Sequence, residues 1–362
     1  MTATTSTIIK KLLVLFLVFA GLYFAKEFLM PLAVAAVIST LFLPLSSWLE
    51  NKKIPKVIAV LICILLLLLV LTGIGSLLGW QVIELTNDFE LIKQRVFEKI
   101  DYLQHYILLH FGVSAATQTD AIKEQQPFFT RLIQSVAGSL TSIFSNFLLI
   151  LVYIFCIMFY RNHIKKFLIR ISPPSQQKEM GQVIHKASRV SQNYLFGLTK
   201  MIGFLWVMYW IGFSILGVKN ALFFAILCGL LEIIPFIGNI TGTTLTLLVA
   251  AVNGAGVPML AGIAATYGVV QLIQGWVLEP LIVGSQVKIN PFTTILALVI
   301  GDLIWGIPGI FIAIPLIAMF KIVCNHVESL KPYGFLIGEI EIIKKEPVLI
   351  KKIKKTIKKL ID

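Results

Sequence analysis

Long uninterrupted apolar runs constrain this chain more than any other feature. They extend over residues 8–25, 28–49, 57–83 and 136–160, each near or above the roughly 20 residues that carry a helix across a bilayer. Backbone in hydrocarbon must satisfy its own polar groups, so such runs are restricted to helices. The 362 residues carry only 14% charged side chains, against about 25% in soluble domains. So little charge does not coat a water-facing sphere. The expected fold is an all-α polytopic helical membrane protein, and soluble enzymes are excluded as a class. The first run follows Lys10 and Lys11 like a secretory leader, but it lacks a small-x-small cleavage site and a second span follows at once; it is expected to stay attached.

The net charge of +13 is concentrated in short loops and the tail. Asn51, Lys52, Lys53 and Lys56 follow the second run, and Arg161, His163, Lys165, Lys166 and Arg170 follow the fourth. This alternation obeys the positive-inside rule and predicts a cytoplasmic amino terminus. Residues 323–362 form a basic cytoplasmic tail. Its Lys344, Lys345, Lys351, Lys352, Lys354, Lys355, Lys358 and Lys359 interleave with Ile350, Ile353, Ile357 and Leu360, a pattern suited to anionic lipid headgroups. No recognition motif accompanies the charge, so nucleic acid is not an expected partner.

Between the third and fourth spans, residues 84–130 carry Glu84, Asp88, Glu90, Glu98, Asp101, Asp120 and Glu124, as suits the extracytoplasmic face. Val82, Leu85, Phe89, Ile92, Val96, Ile100, Leu103 and Ile107 recur at helical spacing, so the third span is expected to continue outward as an amphipathic helix. Its stripe packs either within the protomer or between protomers. Residues 161–197 read as a cytoplasmic amphipathic linker, with Val183, Ala187, Val190 and Tyr194 on one face. That helix is expected to lie along the membrane surface before a fifth span near residues 198–216.

The carboxyl-terminal half, residues 198–322, departs from simple spans. Runs 221–234 and 240–253 hold about 14 residues each, or about 20 Å, short of the roughly 30 Å core. Pro235, Phe236, Ile237, Gly238 and Asn239 separate them. The same grammar returns at 292–300 and 307–320, interrupted by Gly301, Asp302, Gly306, Pro308 and Gly309. Residues 259–278 supply a sixth span. The expectation is about six full spans plus two broken hairpins that either re-enter or cross, eight hydrophobic segments by simple counting.

Interrupted helices at membrane depth point to a substrate pathway, because unwound carbonyls and half-helix ends coordinate solutes or ions. Intramembrane carboxylates are costly unless protonated, hydrated or partnered. Glu232 precedes the first break, Gln271, Gln274 and Glu279 end the sixth span, and Asp302 sits in the second break. With Pro235, Gly238 and Asn239 these form the expected solute or ion pathway, and Gly301, Gly306, Pro308 and Gly309 the expected hinges. No second intramembrane aspartate supports aspartyl-protease chemistry. HExxH, a serine elbow and a P-loop are missing. The five histidines are dispersed, so neither catalysis, cofactor nor metal is expected.

At these residues the chain resembles the AI-2E transporter family, the PerM-like permeases. The resemblance rests on Leu231-Glu232-Ile233-Ile234-Pro235-Phe236-Ile237-Gly238, on Gln271 with Glu279-Pro280-Leu281-Ile282-Val283-Gly284, on Asn290-Pro291, and on Gly306-Ile307-Pro308-Gly309 with Ala313-Ile314-Pro315-Leu316. It implies a multi-pass permease of the bacterial inner membrane and homo-oligomeric assembly. Export of autoinducer-2 is the activity implied by some members, and sodium/proton antiport by others. Asn239 replaces the proline usual in the first break, and Asp302 a small residue in the second; both add polarity. A non-transport scaffold, organised by the outer helix and basic tail, is the alternative from another class.

Overall fold

A computed structural model describes residues 2–87, 126–234, 237–284 and 287–339. Most of the acidic excursion and the whole lysine-rich run at the carboxyl end lie outside the described residues. Among those described, the regular structure is helical apart from one antiparallel bridge between Ile289 and Gly338. The helices are α1 (Thr2–Phe24), α2 (Lys26–Asn51), α3 (Lys56–Asn87), α4 (Gln126–Ile171), α5 (Gln177–Ile215), α6 (Ala221–Leu231), α7 (Ile237–Val252), α8 (Val257–Ile273), α9 (Pro291–Trp305), α10 (Ile307–His326) and α11 (Lys331–Ile337). The chain is a polytopic helical membrane protein, with six helices among the described residues long and apolar enough to cross.

Those six differ in membership from the sequence expectation. Ile307–His326 is a full-length apolar helix of 20 residues, whereas the Leu12–Phe24 stretch of α1 is shorter. The predicted interruption around Asp302 shrinks to one residue. Asp302 lies inside α9 and its carbonyl accepts the Gly306 N–H at 2.8 Å; Gly306, at φ 63° and ψ −144°, reverses the chain. Only glycine reaches that conformation without strain. Pro308 then falls in the first turn of α10, where its missing N–H costs nothing.

The amphipathic linker is likewise no separate surface helix. Its residues 161–171 complete α4, and from Gln177 onward it merges with the fifth span into the 39-residue α5, with Val183 and Tyr194 buried. Farther along α5, Leu198, Met201, Leu205, Tyr209 and Phe213 are buried at spacings of three and four and pack with Phe223, Phe224 and Cys228 of α6. Lipid tails are as apolar as these side chains, so close packing rather than water exclusion holds the helices together.

Shared contacts sort the helix ends. Arg161 of α4 donates to Glu50 Oε2 at 2.7 Å and to Ser46 Oγ at 2.9 Å, which joins the ends of α2 and α4. Lys186 Nζ and His326 Nε2 are 3.2 Å apart, placing the end of α10 beside the start of α5. At the opposite end, the Trp305 indole donates to Leu22 O at 3.0 Å, so the α9–α10 turn meets the end of α1. The second broken segment therefore traverses most of the bundle. The first does not: the chain before α6 and the chain after α7 line one cavity with Gly217, Lys219, Asn253 and Gly254. That hairpin enters and leaves at one end.

Asn290 fastens the start of α9. Its side-chain oxygen caps Thr293 N–H at 2.8 Å, and its amide donates to the carbonyls of Leu336 and Gly338 at 2.5 and 2.9 Å. Asn290→Ala removes the cap and both ties, and is expected to destabilise by about 2–3 kcal/mol. Thermal unfolding in detergent checks this, with faster proteolysis within α11 as the local signature.

Candidate functional site

The interrupted pair α6 and α7 brings polar backbone and a carboxylate into the bundle. Past Leu231 the helix tightens: Ile233 N–H donates to Leu230 O at 3.1 Å and Ile234 N–H to Leu231 O at 2.9 Å. The chain then doubles back so closely that a Cβ on Gly238 would lie 1.7 Å from Leu231 O. Glycine is required here by contact with backbone, not by conformation. The reversal buries Glu232 and Asn239, which are 6% and 2% exposed.

The opposing wall comes from α8. This helix continues from Gln274 to Gly284 in π-helical geometry. A π-helix closes its hydrogen bonds from i to i+5, so Gln274 and Glu279, five apart, share a side that an α-helix would divide. Gln274 is buried, Gln271 half-buried and Glu279 exposed at the rim.

The polar side chains form one connected chain. Gln274 Nε2 donates to Glu232 Oε1 at 2.5 Å, while Gln274 Oε1 accepts from Asn239 Nδ2 at 3.2 Å and from Gln271 Nε2 at 3.4 Å. Gln274 is thus the joint, its amide orientation set by donors on one side and an acceptor on the other. Glu232 Oε2 and Asn239 Oδ1 are buried with no hydrogen-bond partner. Such orphaned acceptors are costly in a core and are placed to receive a donor or a cation.

Glu232, Gln271, Gln274 and Glu279 line a cavity of about 200 Å³, walled also by Tyr194, Leu198 and Met201 of α5 and by Ile314 of α10, and Asn239 joins them through its bond to Gln274. The structure thus brings Glu232, Asn239, Gln271, Gln274 and Glu279 to one place. Asp302 is exposed on α9 and lines no part of it. Gly301 and Gly309 pack the α9–α10 crossing, where a Cβ on Gly309 would lie 2.0 Å from Gly301 O. Pro235 lies outside the described residues. Tyr194, Met201 and Gly275 were missed by sequence reasoning. Tyr194 stood on a periodic apolar stripe, its one available signal, while Gly275 beside Gln274 had none.

The profile described as AI-2E family transporter matches residues 12–329. The chain is 25% identical to YrrI of Bacillus subtilis (strain 168), over 83% of this chain and 87% of that protein. It is 24% identical to YhhT of Escherichia coli (strain K12), over 91% and 94%. Both are provisionally named as transport proteins. The AI-2 transport protein TqsA of Escherichia coli (strain K12) is 22% identical, over 90% and 94%.

Proposed function

The chain belongs to the AI-2E transporter family, and on that premise we propose that it is a secondary transporter that exports or exchanges a small polar solute through the Glu232 cavity. The observation that carries this reading is the hydrogen-bonded chain Asn239–Gln274–Glu232 at a helix break, with two buried acceptors left open. A space of about 200 Å³ lies below the roughly 300–1,000 Å³ of drug-sized pockets, so it suits a small metabolite. Its acceptors favour a hydroxyl-bearing one, for which an autoinducer-2-like signal molecule is the leading candidate. Gln271 and Gln274 orient the solute, Asn239 holds the Gln274 amide in place, and Glu279 meets the solute at the rim. The same proposal places the protein in a bacterial inner membrane with both termini cytoplasmic, as a homo-oligomer whose basic tail rests on anionic headgroups. Proteoliposomes loaded with a mixture of small polar metabolites test it: one compound is expected to leave far faster than from protein-free vesicles, and equal leakage of all would remove the reading.

One observation favours a second reading, cation/proton antiport. Glu232 Oε2 and Asn239 Oδ1 are oxygen acceptors without a partner, which also suits Na⁺ or a proton. Sodium pulses across vesicles holding a pH dye distinguish the two. A sodium-dependent pH change that Glu232→Gln abolishes would favour antiport, and none across a range of pH leaves solute transport.

Asp302 separates cavity chemistry from a general need for intramembrane carboxylates. Because it is exposed on α9 outside the cavity, Asp302→Asn is expected to hold the transport rate within about two-fold of wild type, as surface substitutions usually do. Flux measured beside Glu232→Gln in matched vesicles checks this.

A further inference from the structure

We propose that the cleft between α1 and the α9–α10 pair is a binding site for one zwitterionic phospholipid of the phosphatidylethanolamine class, separate from the transport cavity. Two adjoining spaces support this. The first, about 420 Å³, is lined throughout by apolar or small residues. On α10 its wall is the stripe Gly309, Ile312, Leu316 and Phe320, a single helical face at spacings of three and four. From Gly309 to Phe320 that stripe runs about 16 Å at 1.5 Å per residue, long enough for most of an acyl chain. Its narrow floor follows from the contact of Gly301 with Gly309, which leaves no side chain to fill the groove.

The second space, about 540 Å³, shares Ile304 and Trp305 with the first and is lined by Lys26, Glu27, Tyr23 and Asn146. An apolar slot thus opens directly into a polar vestibule, and an amphiphile matches that succession. Tyr23 and Trp305 are residues typical of the hydrocarbon–headgroup boundary, which sets Lys26 and Glu27 at headgroup level. The Trp305 N–H is already held by Leu22 O, so its ring serves as wall between the two spaces. Lys26 stands over the Tyr23 ring at 5.3 Å.

Charge selects the headgroup. Lys26 and Glu27 line the same vestibule and are both exposed, so it offers one cation and one carboxylate. A phosphate–ammonium pair answers both, phosphate to Lys26 and ammonium to Glu27. A purely anionic headgroup answers Lys26 and is repelled by Glu27.

Detergent-purified full-length protein, titrated with phosphatidylethanolamine or phosphatidylglycerol, tests this by native mass spectrometry and thermal unfolding. The expected result is one retained phosphatidylethanolamine per chain, a raised melting temperature, and at least ten-fold weaker retention of phosphatidylglycerol. Lys26→Ala with Glu27→Ala is expected to remove that headgroup preference. Ala297→Trp, which fills the slot, is expected to remove retention of both lipids while solute flux persists. Equal retention of the two lipids, a lipid shift unchanged in both variants, or a cleft covered by a second copy of the chain in cross-linking would each overturn the proposal.

Discussion

Glu232→Gln is expected to lower transport by about ten- to a hundred-fold, a loss of about 1.4–2.7 kcal/mol of stabilisation along the transport cycle, without weakening the fold. Glutamine has the same shape and keeps an oxygen to accept from Gln274 Nε2, so the existing chain of hydrogen bonds survives. What it loses is the carboxylate. The second oxygen, now a buried acceptor without a partner, becomes an NH2 donor that no longer accepts a hydrogen bond from a solute hydroxyl and that repels a cation. Removing an intramembrane charge also lifts a desolvation cost, so the melting temperature is expected to hold or rise. Flux and thermal unfolding on one preparation check the pair of outcomes. A structural role for Glu232 predicts the reverse, a fall in stability with little change in flux per folded molecule.

Gly309→Val is expected to have the largest effect on stability. Its Cβ alone would sit 2.0 Å from Gly301 O and 2.6 Å from Gly301 C. Both are backbone atoms of a packed helix, so no rotamer change relieves the clash; α9 and α10 must part. Overpacking of this kind costs about 1–3 kcal/mol or more, and α10 also carries part of the central core through Ile312. The measurable result is a melting midpoint lowered by about 5 °C or more, or loss of the monodisperse peak in detergent. Gly275→Ala is the control, since nothing lies within 4 Å of its added Cβ.

Five of the six spans and the first break were legible because hydrocarbon imposes simple rules: apolar runs of sufficient length cross, and a sequence rich in proline and glycine is a poor helix former. Glu232, Gln271 and Gln274 were legible as polar residues out of place. Three features were not. The π-helical stretch from Gln274 aligns Glu279 with Gln274, and α-helical periodicity gives no hint of it. The turn at Gly306 needs one residue, so the surrounding Gly301, Pro308 and Gly309 belong to the helices and not to a long break. Asp302 was grouped with the pathway because an intramembrane carboxylate signals function by default. On α9, apolar around most of its circumference, no polar stripe says which way that residue faces, and the structure turns it outward.

The central claim is that the transport route passes the Glu232–Gln274 chain, and Gly275 offers the most direct test. It lines the cavity, is exposed, and has room for a Cβ. In a variant with Cys63, Cys156, Cys228 and Cys324 replaced by alanine, Gly275→Cys in proteoliposomes is treated with a membrane-impermeant maleimide, with and without the transported solute. Labelling that the solute suppresses, together with blocked flux after labelling, is the predicted result. A thiol that stays unlabelled from both sides while transport proceeds, or one labelled to completion with flux unchanged, would contradict it.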